Sequence, residues 1–191
     1  MQLAVYLYAS LHGKFVIWES LLDDAQLRGD ERILDLGCGR GAVTIAAARR
    51  VPHGMVDGVD LWHSVDQSGN VEKATRANTV AAGVSDRVQL HTGDVGSLSF
   101  EDDTFDLVVS SLVIHNIHDV AHRESAIAEA LRVLKPGGGV VIADIDHLRE
   151  YADALRAGGA HDVRVEGHGL GGWFGNPWFR MRSVSGRSAT S

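Results

Sequence analysis

The sequence predicts an α/β protein: a mainly parallel, doubly wound sheet with helices on both faces. Three observations carry that prediction. Short β-branched and leucine-rich runs alternate with helical segments along most of the chain, the pattern of a wound parallel sheet. Several of these runs end in Gly, Asp or Ser, at the strand ends where such sheets hold their ligands. The chain has 191 residues, 45% of them hydrophobic, which is enough for one domain with a sizeable core.

The elements follow in order. Met1 to Leu22 reads as one or two helices broken near His12-Gly13, with Leu11, Phe15, Trp18 and Leu22 as an apolar stripe. Arg32–Leu36 is a short buried strand running into glycines, and Ala42–Arg50 is an alanine-rich helix. Met55–Leu61 is a strand, Val71–Ala82 a helix stopped by Gly83, and Arg87–His91 a strand with Val88 and Leu90 inward. Phe105–Ser111 is a strongly apolar strand. His122–Leu134 is a helix ended by Lys135-Pro136-Gly137, a stop followed by a tight turn. Val140–Ile145 is a strand and Leu148–Ala157 a helix ended by Gly158-Gly159. His161–Val165 and Phe179–Val184 close the sheet around a Gly- and Trp-rich loop, Gly167–Pro177. The expected organisation is a single domain over residues 1–191: a helical lid to residue 29, a core over 30–184, and a frayed polar tail over 185–191.

Composition removes several classes. A net charge of -7 argues against a nucleic-acid partner, which requires clustered Lys and Arg. The one cysteine, Cys38, cannot form an internal disulfide, which fits a reducing compartment. The start lacks a basic region and a small-residue cleavage site, and no run approaches the ~18 apolar residues of a membrane span. A cytoplasmic protein without a membrane partner is the expectation.

The strand ends carry the chemistry. Asp35-Leu36-Gly37-Cys38-Gly39-Arg40-Gly41-Ala42 lies between a strand and a helix, so glycines admit a ligand close to the backbone and helix N–H groups face it. Gly37, Gly39 and Ala42 also satisfy the looser dinucleotide fingerprint. Asp35 in front of them repels a pyrophosphate and suits a cationic amino group, or it hydrogen-bonds the loop's own N–H groups. Asp60, 23 positions after Gly37, stands where a ribose diol is bound, or is a solvated strand-end carboxylate. Leu61 and Trp62 follow it and can pack on a purine, or belong to the core.

Gly93-Asp94-Val95 can accept an adenine amino group, although Gly-Asp is also common turn chemistry. After the fourth strand, His115 is a candidate general base and Asn116 a candidate for orienting substrate; both are equally loop and cap residues. His115, His118 and His122 would share a helical face, but no Cys or Glu completes a ligand set, and no metal is expected.

Together these segments resemble the class I, Rossmann-like S-adenosylmethionine-dependent methyltransferases. Ile33-Leu34-Asp35-Leu36-Gly37-Cys38-Gly39-Arg40-Gly41 is similar to that family's first motif, and Val59-Asp60-Leu61 to its second. Gly93-Asp94-Val95, Phe105-Asp106-Leu107-Val108-Val109-Ser110 and Leu134-Lys135-Pro136-Gly137-Gly138 resemble the later ones, in order, over about residues 30 to 145. The resemblance implies a seven-stranded sheet whose last strand is antiparallel. It implies that Asp35 and Gly37, Cys38, Gly39 and Gly41 hold the amino-acid part of S-adenosyl-L-methionine, with S-adenosyl-L-homocysteine as product. Asp60 would bind the ribose, Asp94 and Val95 the adenine, and Ser111 would lie near the methionine part. The absence of an Asn-Pro-Pro-Tyr or Asp-Pro-Pro-Tyr run after strand four points to the small-molecule branch, and the link from Trp62 to Asn70 is longer and more polar than usual.

The expected reaction is in-line attack of a small-molecule O, N, C or S acceptor on the sulfonium methyl. The acceptor pocket is expected from Tyr8, His12, Phe15, Trp18, Asp66 in the Trp62–Asn70 loop, His115, Asn116, Trp173 and Trp178. Simple helix packing accounts equally for Phe15 and Trp18. With so slight a lid, a second copy of the chain is a candidate to complete the pocket. Two rivals share the glycine loop: an NAD-dependent oxidoreductase, which gives no reason for Asp35, and a non-catalytic S-adenosylmethionine-binding module.

Overall fold

The structure is a computed structural model that describes residues 13–62, 72–172 and 180–190. Five helices and seven strands are found among them, in the order α1 (Lys14–Asp24), β1 (Arg32–Leu36), α2 (Ala42–Arg50), β2 (Met55–Asp60), α3 (Glu72–Ala81), β3 (Val88–Thr92), β4 (Phe105–Ser111), α4 (Val120–Arg132), β5 (Leu134–Asp144), α5 (Leu148–Ala157), β6 (His161–Gly167) and β7 (Arg182–Arg187). The sheet order is β3-β2-β1-β4-β5-β7-β6. Strands β1 to β5 are parallel, and β7 runs antiparallel to both of its neighbours, β5 and β6.

The period of two along the strands sorts side chains into two cores. Leu107 and Val109 of β4 join Ile33, Val56 and Val141 under α1 and α2. Val108 faces the other way, joining Leu34, Val140 and Ile142 under α4 and α5. In α2 the alanines Ala46, Ala47 and Ala48 are buried, so the helix lies close against the sheet. One register row crosses the whole sheet: His91, Val59, Leu36, Ser110, Ile142, Val184 and Val165. The chain reverses its winding direction between β1 and β4, and sheets of this kind bind ligands at the carboxyl strand ends beside such a reversal.

Four local expectations need correction. The stripe on α1 is Ile17, Trp18, Leu21 and Leu22, whereas Phe15 is 43% exposed beneath the Lys14 ammonium. Helix α4 starts two residues early because Asp119 caps it, accepting the Ala121 N–H at 3.1 Å. The Lys-Pro-Gly run is an irregular start to β5 rather than a free turn: Leu134 pairs with Phe105, and Gly138 accepts the Ser188 N–H. The segment from Ser185 is not frayed through Arg187, because β7 pairs it with Gly139–Val141; Ser188 beyond it is buried and donates its hydroxyl to the Lys135 carbonyl at 2.6 Å. The strand expected over Phe179–Val184 extends further because Ser185, Gly186 and Arg187, which carry no apolar signal, are paired with β5.

Candidate functional site at the carboxyl edge of the sheet

The first loop is shaped by what surrounds it. Gly37 has φ +71°, and a Cβ there would meet Val113 at 2.3 Å, so the turn out of β1 requires glycine on two counts. The Gly37 and Cys38 N–H groups donate to the Val59 carbonyl at 2.8 and 3.1 Å, fastening the loop to β2. Cys38 is buried against Gly58, and burial pushes its thiol up, so it is a packing residue and not a nucleophile. From α3, the Thr75 hydroxyl donates to the Gly39 carbonyl at 2.5 Å and Asn78 to the Arg40 carbonyl at 3.0 Å. Gly41, at φ +83°, opens α2.

Two carboxylates flank this loop. Asp35 is 1% exposed and accepts the Thr44 hydroxyl at 2.6 Å. Burial pushes its carboxyl up to about 7, against the lowering effect of the Thr44 hydrogen bonds and with a further rise from Asp60. Asp60 accepts the Gly39 N–H at 2.9 Å on one oxygen and the Trp62 N–H at 2.8 Å on the other. Each oxygen keeps a lone pair for a further donor. Leu61 is exposed, and the Trp62 indole N–H donates to Thr92 at 2.9 Å, laying its ring across the ends of β2 and β3.

The end of β3 is drawn to the same place, since the Gly93 N–H donates to the Asp60 carbonyl at 3.2 Å. Asp94 Oδ1 accepts the Gly96 N–H at 2.8 Å and lies 2.8 Å from His122 Nε2. Partial burial raises its carboxyl, but these two contacts more than offset that and leave it below the ordinary range. The Val95 side chain is buried in the core under α4, so any contact it makes to a ligand is through its backbone.

On the other side of the switch point, Trp18 is 3% exposed and donates its indole N–H to the Ser111 hydroxyl at 2.8 Å. Trp18 therefore locks α1 to the end of β4 instead of presenting a free ring. His115 sits in a 3-10 turn, Ile114–Asn116. Its backbone N–H donates to Asp144 Oδ2 at 3.2 Å, and its Nδ1 contacts Asp144 Oδ1. Asp144 is fully buried at the end of β5. In the sequence it is only one more strand-end acid, in Ala143-Asp144-Ile145, with nothing to mark its partner. Asn116 donates its side-chain amide to the Leu112 carbonyl at 3.3 Å and is exposed, the capping role. His115 and His122 are held by different carboxylates, Asp144 and Asp94, and do not share a helical face. Tyr8, His12, Asp66, Trp173 and Trp178 lie outside the described residues.

The arrangement fits the donor that the sequence suggested. Asp35 and Asp60 stand at the carboxyl ends of β1 and β2 and Asp94 two residues past β3, beside a glycine turn in which a Cβ would clash.

Comparison with known proteins points to a family. A family model described as a methyltransferase domain matches residues 33–138, more than half of the chain. The ubiquinone/menaquinone biosynthesis C-methyltransferase of Roseobacter denitrificans is 31% identical over 133 residues, 69% of this chain and 50% of that protein. The demethylmenaquinone methyltransferase of Staphylococcus aureus is 35% identical over 127 residues, 65% of this chain and 48% of that protein. The chain thus spans about half the length of the curated relatives it matches. A crystal structure of an S-adenosylmethionine-dependent methyltransferase from Aquifex aeolicus superposes with a TM-score of 0.70 at 18% identity, covering 89% of this chain and 88% of that one, and shares the fold. The glycine turn, its flanking carboxylates and these matches lead to one assignment: the chain belongs to the class I, Rossmann-like S-adenosylmethionine-dependent methyltransferases.

Proposed function

We propose that this methyltransferase acts on a small hydroxylated aromatic acceptor of the quinol type, methylating a ring carbon with His115 as general base. The observation that carries the reading is His115 set against the buried Asp144 at the edge of the switch point. The quinone substrates in the names of the two relatives supply the acceptor class.

Asp35 and the Gly37–Gly41 loop would hold the amino-acid portion of S-adenosylmethionine, Asp60 its ribose and Asp94 its adenine. When bound, S-adenosylmethionine supplies an electrophilic methyl group and remains as S-adenosylhomocysteine. The chain's residues act on the acceptor. His115 Nε2, which has no protein partner among the described residues, takes a hydroxyl proton and so raises electron density on the ring carbon; once that carbon carries the methyl, its hydrogen leaves as a proton to solvent and His115 returns its own proton to the ring oxygen, restoring the aromatic quinol. Asp144 fixes the turn by accepting the His115 backbone N–H, and its carboxylate beside Nδ1 balances the charge that forms on the ring. Ser111, fixed by Trp18, pairs with Ala143, the neighbour of Asp144.

The test is incubation with S-adenosylmethionine and a prenylated 1,4-naphthohydroquinone, followed by mass spectrometry. One added methyl on carbon is expected, and His115→Ala lowers turnover about 100-fold or more while S-adenosylhomocysteine affinity is retained. Bound S-adenosylhomocysteine with no methylated product overturns the acceptor class. No bound S-adenosylhomocysteine overturns the donor assignment for these residues.

A further inference from the structure

We infer that His122 is a positioning residue for adenine recognition: it fixes Asp94 so that one carboxylate oxygen is presented to the adenine amino group. This rests on the donor reading above. In that reading Asp94 accepts the amino group, and nothing assigns His122 a part.

The observation is an uneven use of the Asp94 oxygens. Oδ1 receives the Gly96 N–H and His122 Nε2, both at 2.8 Å. Oδ2 has no protein partner among the described residues. A carboxylate on a loop ordinarily rotates about its terminal torsion. Two donors converging on one oxygen stop that rotation and leave the other oxygen as the open acceptor. The backbone beneath is pinned too, through Gly93 N–H to the Asp60 carbonyl and Ser97 N–H to the Asp94 carbonyl.

The His122 ring has a prepared seat. It stands three residues after the Asp119 cap, in the first turn of α4. A Cβ on Gly96 would lie 2.3 Å from its ring, so Gly96 is what lets the imidazole reach the carboxylate. As a half-exposed hydrogen bond this contact adds little to stability. Its value is orientation, which limits the freedom lost on binding. Adenine donates from its amino group, whereas a base with a carbonyl in that place offers only an acceptor and is repelled by Oδ2.

The experiment is calorimetry of the full chain with S-adenosylhomocysteine and with S-inosylhomocysteine, in which that amino group is a carbonyl oxygen. His122→Ala is expected to weaken S-adenosylhomocysteine about 5- to 10-fold and to leave S-inosylhomocysteine nearly unchanged. His122→Gln, which can donate to Oδ1, restores the preference, and Gly96→Ala, which displaces the ring, reproduces the loss. Equal weakening of both ligands, or no change in His122→Ala, overturns the inference. Failure of the wild-type chain to bind S-adenosylhomocysteine overturns the donor reading on which it rests.

Discussion

The two sides of the switch point are built differently. On the β1–β2–β3 side, consecutive strand ends are joined by short hydrogen bonds, and each carboxylate has backbone donors or a hydroxyl to hold it. On the β4–β5 side, the contacts tie the strand ends to separate elements: the Trp18 indole of α1 reaches Ser111 across 93 positions, and His115 of the 3-10 turn meets Asp144 at the end of β5. A ligand shared by a whole family suits the first kind of site. A site assembled from distant, separately variable pieces suits an acceptor that differs from member to member.

Breaking the first side should have the largest effect. Gly37→Val puts a branched side chain into Val113 at a positive φ and is expected to abolish S-adenosylhomocysteine binding, with a loss of about 3 kcal/mol or more in stability. Binding within a few-fold of wild type in calorimetry would show that the turn is not the ligand's seat.

Asp35 sharpens the same side through pH. Its carboxyl is raised to about 7 by burial, whereas in the unfolded chain it titrates near its ordinary 3.8. Its contribution to folding is therefore fully present below about pH 4 and is lost as pH rises through about 7, a penalty on the order of 4 kcal/mol above that range. Asp35→Asn should melt higher than wild type at pH 8, lose that advantage at pH 4, and bind S-adenosylhomocysteine weakly at both. Because the ligand's ammonium favours the ionised carboxylate, wild-type binding near pH 6 should release up to about one proton, read from calorimetry in two buffers of different ionisation heat. A stability gain in Asp35→Asn that is equal at both pH values would remove burial as the cause.

The smallest effect is on the second side. Trp18→Phe keeps most of the buried ring but leaves Ser111 without its donor, costing about 1 kcal/mol. The acceptor KM should rise while S-adenosylhomocysteine affinity stays constant; a fall in donor affinity instead would place Ser111 on the donor's side.

Much of the donor half was legible because it is local. Asp35 and Asp60 lie near the carboxyl ends of strands, and Gly37 and Asp94 just after strands, whose apolar runs are plain in the sequence, and parallel pairing brings successive strand ends together. Asp144 and His122 were not legible in their roles. Their partners are set by how α4 and β5 pack, and nothing in the spacing of His115 from Asp144 or Asp94 from His122 records it. The end of β7 was missed because small polar residues form a strand there only by pairing with β5.

The sequence by itself determined the alternation of strands and helices, the glycine turn and the acids beside it, since hydrophobic period and backbone freedom are properties of neighbouring residues. Only the tertiary structure decided which nitrogen of which histidine meets which carboxylate, that Trp18 is a tie to Ser111 and not a free aromatic wall, and that Gly96 leaves room for an imidazole. Those depend on contacts between elements far apart in the chain, where a shift of an ångström makes or breaks a hydrogen bond.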